Sequence, residues 1–251
     1  MNTSKNNIKD NITLLKVIFL VFVPTTILTV SYYLLGHLFE SIPSLLLFYV
    51  LAALILFPIE LLVIIYSSKK TFGRYSLKSA WVNQGKTNWK RTLLFSVVLF
   101  GLAGIFSATV GPFENWATAP ASSKLLEVIP MYFDWTNMEY LRQYPKDMLL
   151  LTCIAYAIFN VFVGPIIEEL YFRGYLTSKI SRFGKWAPVI ITVLFSLYHL
   201  WLPLQNLFRI CVFLPAAYIA WKEKNIYISI VFHCLCNLFS TIGFIVALLA
   251  V

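Results

Sequence analysis

Two carboxylates stand side by side, Glu168 and Glu169, with a guanidinium four residues on at Arg173. All three lie inside the apolar stretch Gly164-Pro165-Ile166-Ile167-Glu168-Glu169-Leu170-Tyr171-Phe172-Arg173-Gly174. On a helix Glu169 and Arg173 fall at i and i+4 and can form an ion pair. Glu168 is rotated by about 100° from Glu169, so it is left to face something else. An ionised group inside a bilayer costs from about 3 to more than about 10 kcal/mol, so such residues mark function. One carboxylate is accounted for by its partner, and the other is spare.

Further polar groups interrupt later apolar runs. His199 closes Phe195-Ser-Leu-Tyr-His199, and His233 and Asn237 bracket His233-Cys-Leu-Cys-Asn237 at i and i+4, on one helix face. A lone buried histidine is most often a satisfied structural residue, but three such segments in the last 90 residues or so form a set. At about 1.5 Å of rise per residue, Glu168, His199 and His233 reach comparable depths. The expected object is a polar cavity lined by Glu168, His199, His233 and Asn237. A carboxylate shielded from bulk water can act as general base on a water molecule. His199 would share or orient that water, and His233 and Asn237 would donate hydrogen bonds to the oxyanion of an attacked peptide carbonyl. Together these groups suffice for amide hydrolysis without a covalent intermediate. No Gly-x-Ser-x-Gly, His-Glu-x-x-His or phosphate-binding glycine loop is present. Carboxylates and imidazoles are also ligands for zinc, iron or manganese, and carboxylate–histidine sets can relay protons in transporters. Both readings stay open beside the hydrolytic one.

The elements that must hold these groups are hydrophobic. Of 251 residues 59% are hydrophobic and only 12% charged, against roughly 25% charged in a soluble domain. Apolar runs cover about 12–35, 44–66, 92–110, 148–178, 187–203, 205–221 and 226–250, all but the longer fourth near the 20 residues that cross a bilayer. The expected fold is an all-α polytopic membrane bundle of about seven helices, or eight if the fourth region breaks at Gly164-Pro165. The whole of 1–251 reads as one membrane domain. The net charge of +9 follows topology rather than nucleic acid. Lys5, Lys9, Lys16, the 69–91 cluster, Lys179, Arg182, Lys185, Lys222 and Lys224 share one side, which places the N-terminus inside. Arg209 is counted on the other side. The four cysteines, all in apolar segments, read as small buried residues rather than a disulfide framework.

Two regions carry paired expectations. Glu60, near the inner end of the second run, reads as snorkelling to the interface, or else as bracing the site from behind or touching substrate. The 111–147 segment, with Trp116, Tyr132, Phe133, Trp135, Tyr140 and Tyr144, reads as an outside loop. Its aromatics would form a membrane belt or a lid at the cavity mouth.

Glu168-Glu169-x-x-x-Arg173, Phe195-x-x-x-His199 and His233-x-x-x-Asn237, in this order on successive late helices, resemble the CAAX protease and bacteriocin-processing (Abi) family. Its members are intramembrane glutamic endopeptidases related to the type II CAAX prenyl endopeptidase. The resemblance covers about residues 148–240, which would be the protease core. It implies Glu168 as the base, Glu169 and Arg173 as its support with Phe195, His199 acting with the base, and His233 and Asn237 at the oxyanion. It implies no cofactor and no catalytic metal. Relatives act on membrane-associated peptides or proteins, or are linked to bacteriocin self-immunity and membrane regulation. Eukaryotic relatives cleave prenylated proteins, but a compact chain rich in Lys, Asn and Ile at its start points to a bacterial plasma membrane as the setting. A non-catalytic immunity partner or sensor-kinase scaffold is the rival reading.

Overall fold

The computed structural model describes residues 11–249, and among these there is no β-strand. Lys5 and Lys9 lie outside the described residues. Seven main helices follow one another: α1 Leu14–Gly36, α2 Ser44–Phe72, α3 Trp89–Val128, α4 Lys146–Lys179, α5 Ala187–Leu197, α6 Asn206–Glu223 and α7 Tyr227–Leu249. Polar side chains open two of them. Thr13 accepts from the Lys16 amide ahead of α1, and Asn88 from the Arg91 amide ahead of α3, meeting donors that a helix start leaves unpaired. Outward faces are apolar, with Phe19, Leu34, Leu54, Val98, Phe239 and Val246 exposed, as a lipid-facing surface requires. This is a multi-pass helical membrane protein.

Among the described residues five helices, α1 to α4 and α7, are long and apolar enough to cross a membrane. The other two runs fold differently. The 187–203 run is a helix only to Leu197, 11 residues or about 16 Å, and turns from Tyr198 to Gln205. α6 has 18 residues and carries Arg209, Lys222 and Glu223.

The fourth region does not break at Gly164-Pro165. α4 runs unbroken through π-helical turns at Phe159–Val163 and Leu170–Leu176, and α2 has another at Ala52–Leu56. Two of these turns sit immediately before Phe57-Pro58 and Gly164-Pro165. Within an α-helix a proline ring collides with the carbonyl four residues back. The extra residue of a π turn moves that carbonyl away, so the chain widens instead of kinking.

The 111–147 segment is not a loop. α3 continues through Pro112 and Pro120 to Val128, 40 residues in all, and 129–145 holds only short turns of helix. Glu114 reaches from α3 to the start of α6, where its two oxygens accept from the Leu207 and Phe208 amides at 2.7 Å each. A carboxylate here satisfies two free donors and meets the positive end of the helix dipole. The aromatics of the segment divide. Trp116 is exposed, whereas Tyr132 and Phe133 are buried, Phe133 against Tyr32 and Tyr33 of α1. The Trp135 indole donates to the Tyr32 hydroxyl at 2.7 Å.

The main core joins α1, α2, α4 and α5 through Leu28, Ile64, Tyr171, Phe172, Phe195 and Tyr198. Below it the basic connection between α2 and α3 packs closely on α4. A Cβ on Gly174 would come within 2.6 Å of the Ala80 carbonyl oxygen, so this contact requires glycine. Cys153 is buried, Cys211, Cys234 and Cys236 are half-buried, and all four are free thiols.

Candidate active site

α4 presents Glu168 and Glu169 in the short α-helical stretch between its two π turns. The i,i+4 pair forms: Arg173 Nη1 lies 3.3 Å from Glu169 Oε1. The guanidinium also lies over the Phe195 ring, 4.1 Å from its centroid, a favourable position for a cation on an aromatic face. Charge and ring hold it rather than aligned hydrogen bonds.

α7 brings His233 between the two carboxylates. Its Nδ1 is 3.0 Å from Glu169 Oε1, and its Nε2 is 3.8 Å from Glu168 Oε2. With Glu169 ionised against Arg173, Nδ1–H is the donor, and Nε2 turns towards Glu168. Glu169 is thus engaged on two sides, while Glu168 meets His233 only at the longer distance.

His199 is not on a helix. It stands in the turn after α5, where irregular backbone borders the cavity. Its Nδ1 is 2.8 Å from the Phe195 carbonyl. A carbonyl only accepts, so this nitrogen carries the hydrogen and Nε2 presents a lone pair. Several side chains hold the turn. Thr25 donates to the Tyr198 carbonyl, and Arg209 donates to the carbonyls of Ser196 at 3.0 Å and Leu202 at 3.4 Å. Arg209, counted from sequence as a charge outside the membrane, is a buried strut between α5 and α6. The Phe195 ring meets His199 and His233 nearly edge to face, with centroids 4.9 and 6.0 Å away.

Asn237 lies one turn beyond His233. Its amide donates to the backbone carbonyl of Asn160 at 2.8 Å. Asn160 in turn donates to Thr241 at 2.9 Å and accepts from the Tyr49 hydroxyl at 3.1 Å. Glu60 does not snorkel. It is 0% exposed and accepts from the Tyr198 hydroxyl at 2.9 Å.

One cavity of about 600 Å³ opens among these helices. Glu168, His199, His233 and Asn237 line it, with Asn160, Trp135 and Phe195 among the remaining wall. Arg173 pairs with Glu169, and His233 joins Glu169 to Glu168; His199 and Asn237 face the same space from their own anchors. Sequence reasoning missed Asn160, Tyr49, Tyr198 and the buried role of Arg209. An asparagine in Phe159-Asn-Val-Phe-Val163 is a usable signal for the first, since amides are costly in a bilayer. Among the described residues, no three His, Cys, Asp or Glu side chains are grouped to hold a metal ion.

An all-helical membrane bundle enclosing a cavity walled by carboxylate, imidazole and amide groups defines the class. Within it, residues 150–239 match the family model described as type II CAAX prenyl endopeptidase Rce1-like. This stretch is thus an Rce1-like domain of the CAAX protease family, and it contains all three motifs. No curated protein and no solved structure gives a match.

Proposed function

We propose that the protein is an intramembrane glutamic-type endopeptidase that hydrolyses a peptide bond of a membrane-associated peptide or protein. The observation that carries this reading is the division of labour between adjacent carboxylates. Glu169 is tied to Arg173 and His233, and Glu168 is left facing the cavity beside His233 Nε2.

In this reading Glu168 takes a proton from water as the water oxygen attacks the carbonyl carbon. The lone pair of His199 Nε2 accepts a hydrogen bond from the same water and orients it. Asn237 turns an amide hydrogen to the oxyanion. His233 keeps its Nδ1–H on Glu169, so it joins in that role only as the imidazolium, with a second proton bound from solvent before the substrate enters. The tetrahedral intermediate collapses with cleavage of the C–N bond, and Glu168 returns the proton to the leaving amine. Phe195, Glu169 and Arg173 keep the two imidazoles in place. The chain's setting would be a bacterial plasma membrane, with its Lys- and Arg-rich connections on the cytoplasmic side.

The test uses protein in nanodiscs and an internally quenched peptide ending in a prenylated Cys-aliphatic-aliphatic-X box, with products read by mass spectrometry. Wild type cleaves the peptide in the presence of chelator, and Glu168→Gln at equal expression does not. Full cleavage by Glu168→Gln would remove the proposed base. Cleavage lost to chelator and restored by one metal would point to a metal-dependent hydrolase.

A further inference from the structure

The Asn237 amide is held by a backbone carbonyl that an unbroken α-helix would not offer. In α4 the Gly164 amide bonds the carbonyl of Phe159, five residues back. Having made this π bond, it does not close the usual α-helical bond with Asn160. The next donor in the π pattern would be residue 165, and Pro165 has no N–H. The Asn160 carbonyl therefore lacks both helical donors, and a half-buried carbonyl at membrane depth without a partner is costly. Asn237 Nδ2 supplies the missing donor at 2.8 Å.

We infer that Pro165 is a positioning residue for Asn237: with the π turn before it, it leaves the Asn160 carbonyl open, and that carbonyl fixes the Asn237 amide at the cavity wall. The Asn160 side chain is locked at both ends, by Thr241 from α7 and Tyr49 from α2. The carbonyl is thus presented on a braced residue. Gly164 belongs to the same device, since a Cβ there would meet the Phe159 carbonyl oxygen at 3.0 Å. The inference rests on the proposed function only for its catalytic meaning; the hydrogen-bond exchange itself does not depend on any activity.

The direct experiment is Pro165→Ala in nanodiscs, with side-chain amides labelled with ¹⁵N and the Asn237 signal assigned by its loss in Asn237→Asp. The alanine amide can bond the Asn160 carbonyl and displace Asn237. Asn237 Nδ2 should then shift and exchange its hydrogens about tenfold faster, the equivalent of one hydrogen bond. The new backbone N–H at position 165 should be protected from exchange. Pro58→Ala, which alters the equivalent turn in α2, should leave Asn237 unchanged. An unmoved Asn237 signal in Pro165→Ala, or an equal shift in Pro58→Ala, overturns the inference.

A second measurement keeps the native proline, so that it stands even where the alanine variant does not fold. With ¹³C=O at Asn160, Asn237→Ala should raise the carbonyl stretching frequency as its donor is lost; an unshifted band overturns the inference. In the cleavage assay, Pro165→Ala should lower kcat with KM held, and Pro58→Ala should not. Absence of cleavage in wild type would count against the proposed function alone.

Discussion

α2 and α4 repeat one construction with opposite outcomes. Each has a π turn, then a proline two residues past its end, then a buried glutamate: Ala52–Leu56, Pro58 and Glu60 in one, Phe159–Val163, Pro165 and Glu168 in the other. Glu60 is closed off under the Tyr198 hydroxyl at 0% exposure, while Glu168 is 8% exposed and borders the cavity. Two buried acids in one membrane bundle thus meet different surroundings. What separates the two is whether a neighbour supplies a donor and whether open space adjoins the oxygens.

The largest effect that would sharpen this contrast is loss of activity in Glu168→Gln. Peptide release should fall by about 10² to 10⁴, the range for a general base, whereas Glu60→Gln should retain most of it. The glutamine carbonyl introduced at position 60 still accepts from Tyr198. Equal losses in the two variants, measured by initial rates at matched folding, would erase the distinction.

Next in size is Arg173→Met, which leaves Glu169 buried without its cation. Breaking such a pair costs about 3–5 kcal/mol, so the variant should unfold at markedly lower temperature. Unchanged unfolding in detergent would show that His233 alone is a sufficient partner.

Tyr198→Phe removes the hydroxyl that donates to Glu60 and should cost about 1–3 kcal/mol. Denaturant unfolding checks the value, and the double variant Tyr198→Phe with Glu60→Leu should recover part of it. Without recovery, the two side chains are not energetically coupled.

An effect of the same size concerns the close approach of the α2–α3 connection to α4. Gly174→Ala pushes a methyl against the Ala80 carbonyl and should destabilise by about 1–3 kcal/mol. A neutral result in thermal unfolding would mean that the basic connection yields freely.

The helices are legible in the sequence because apolar runs near twenty residues have few alternatives. The Glu169–Arg173 pair is legible because i,i+4 spacing is local. Hydropathy ends the third run at Val110, since it falls at Gly111-Pro112 and Glu114, while the following Ala, Ser, Lys and Leu residues still support a helix. The role of Glu114 as a clamp on α6 involves residues 93 and 94 positions away, which no local pattern encodes. Phe195-x-x-x-His199 has helical spacing and so points to a helix that the structure does not continue. The break after Leu197 is sustained by Thr25 on the Tyr198 carbonyl and Arg209 on the Ser196 carbonyl, both beyond the reach of helical spacing. The Asn160 carbonyl is hidden for a different reason: its availability depends on which backbone amide bonds where, not on side-chain type.

The ion pair within α4 also bears on how the chain enters the bilayer. Glu169 and Arg173 meet as soon as one turn of helix forms, before any later segment has arrived. A helix entering lipid with both charges apart would bear about 2.5–3.5 kcal/mol for each on the insertion scale. Mutual neutralisation during synthesis lowers that barrier, and leaves Glu168 as the one acid in this stretch awaiting the later segments. His233 arrives on the last described helix, so the order of translation itself dictates that the cavity is completed last.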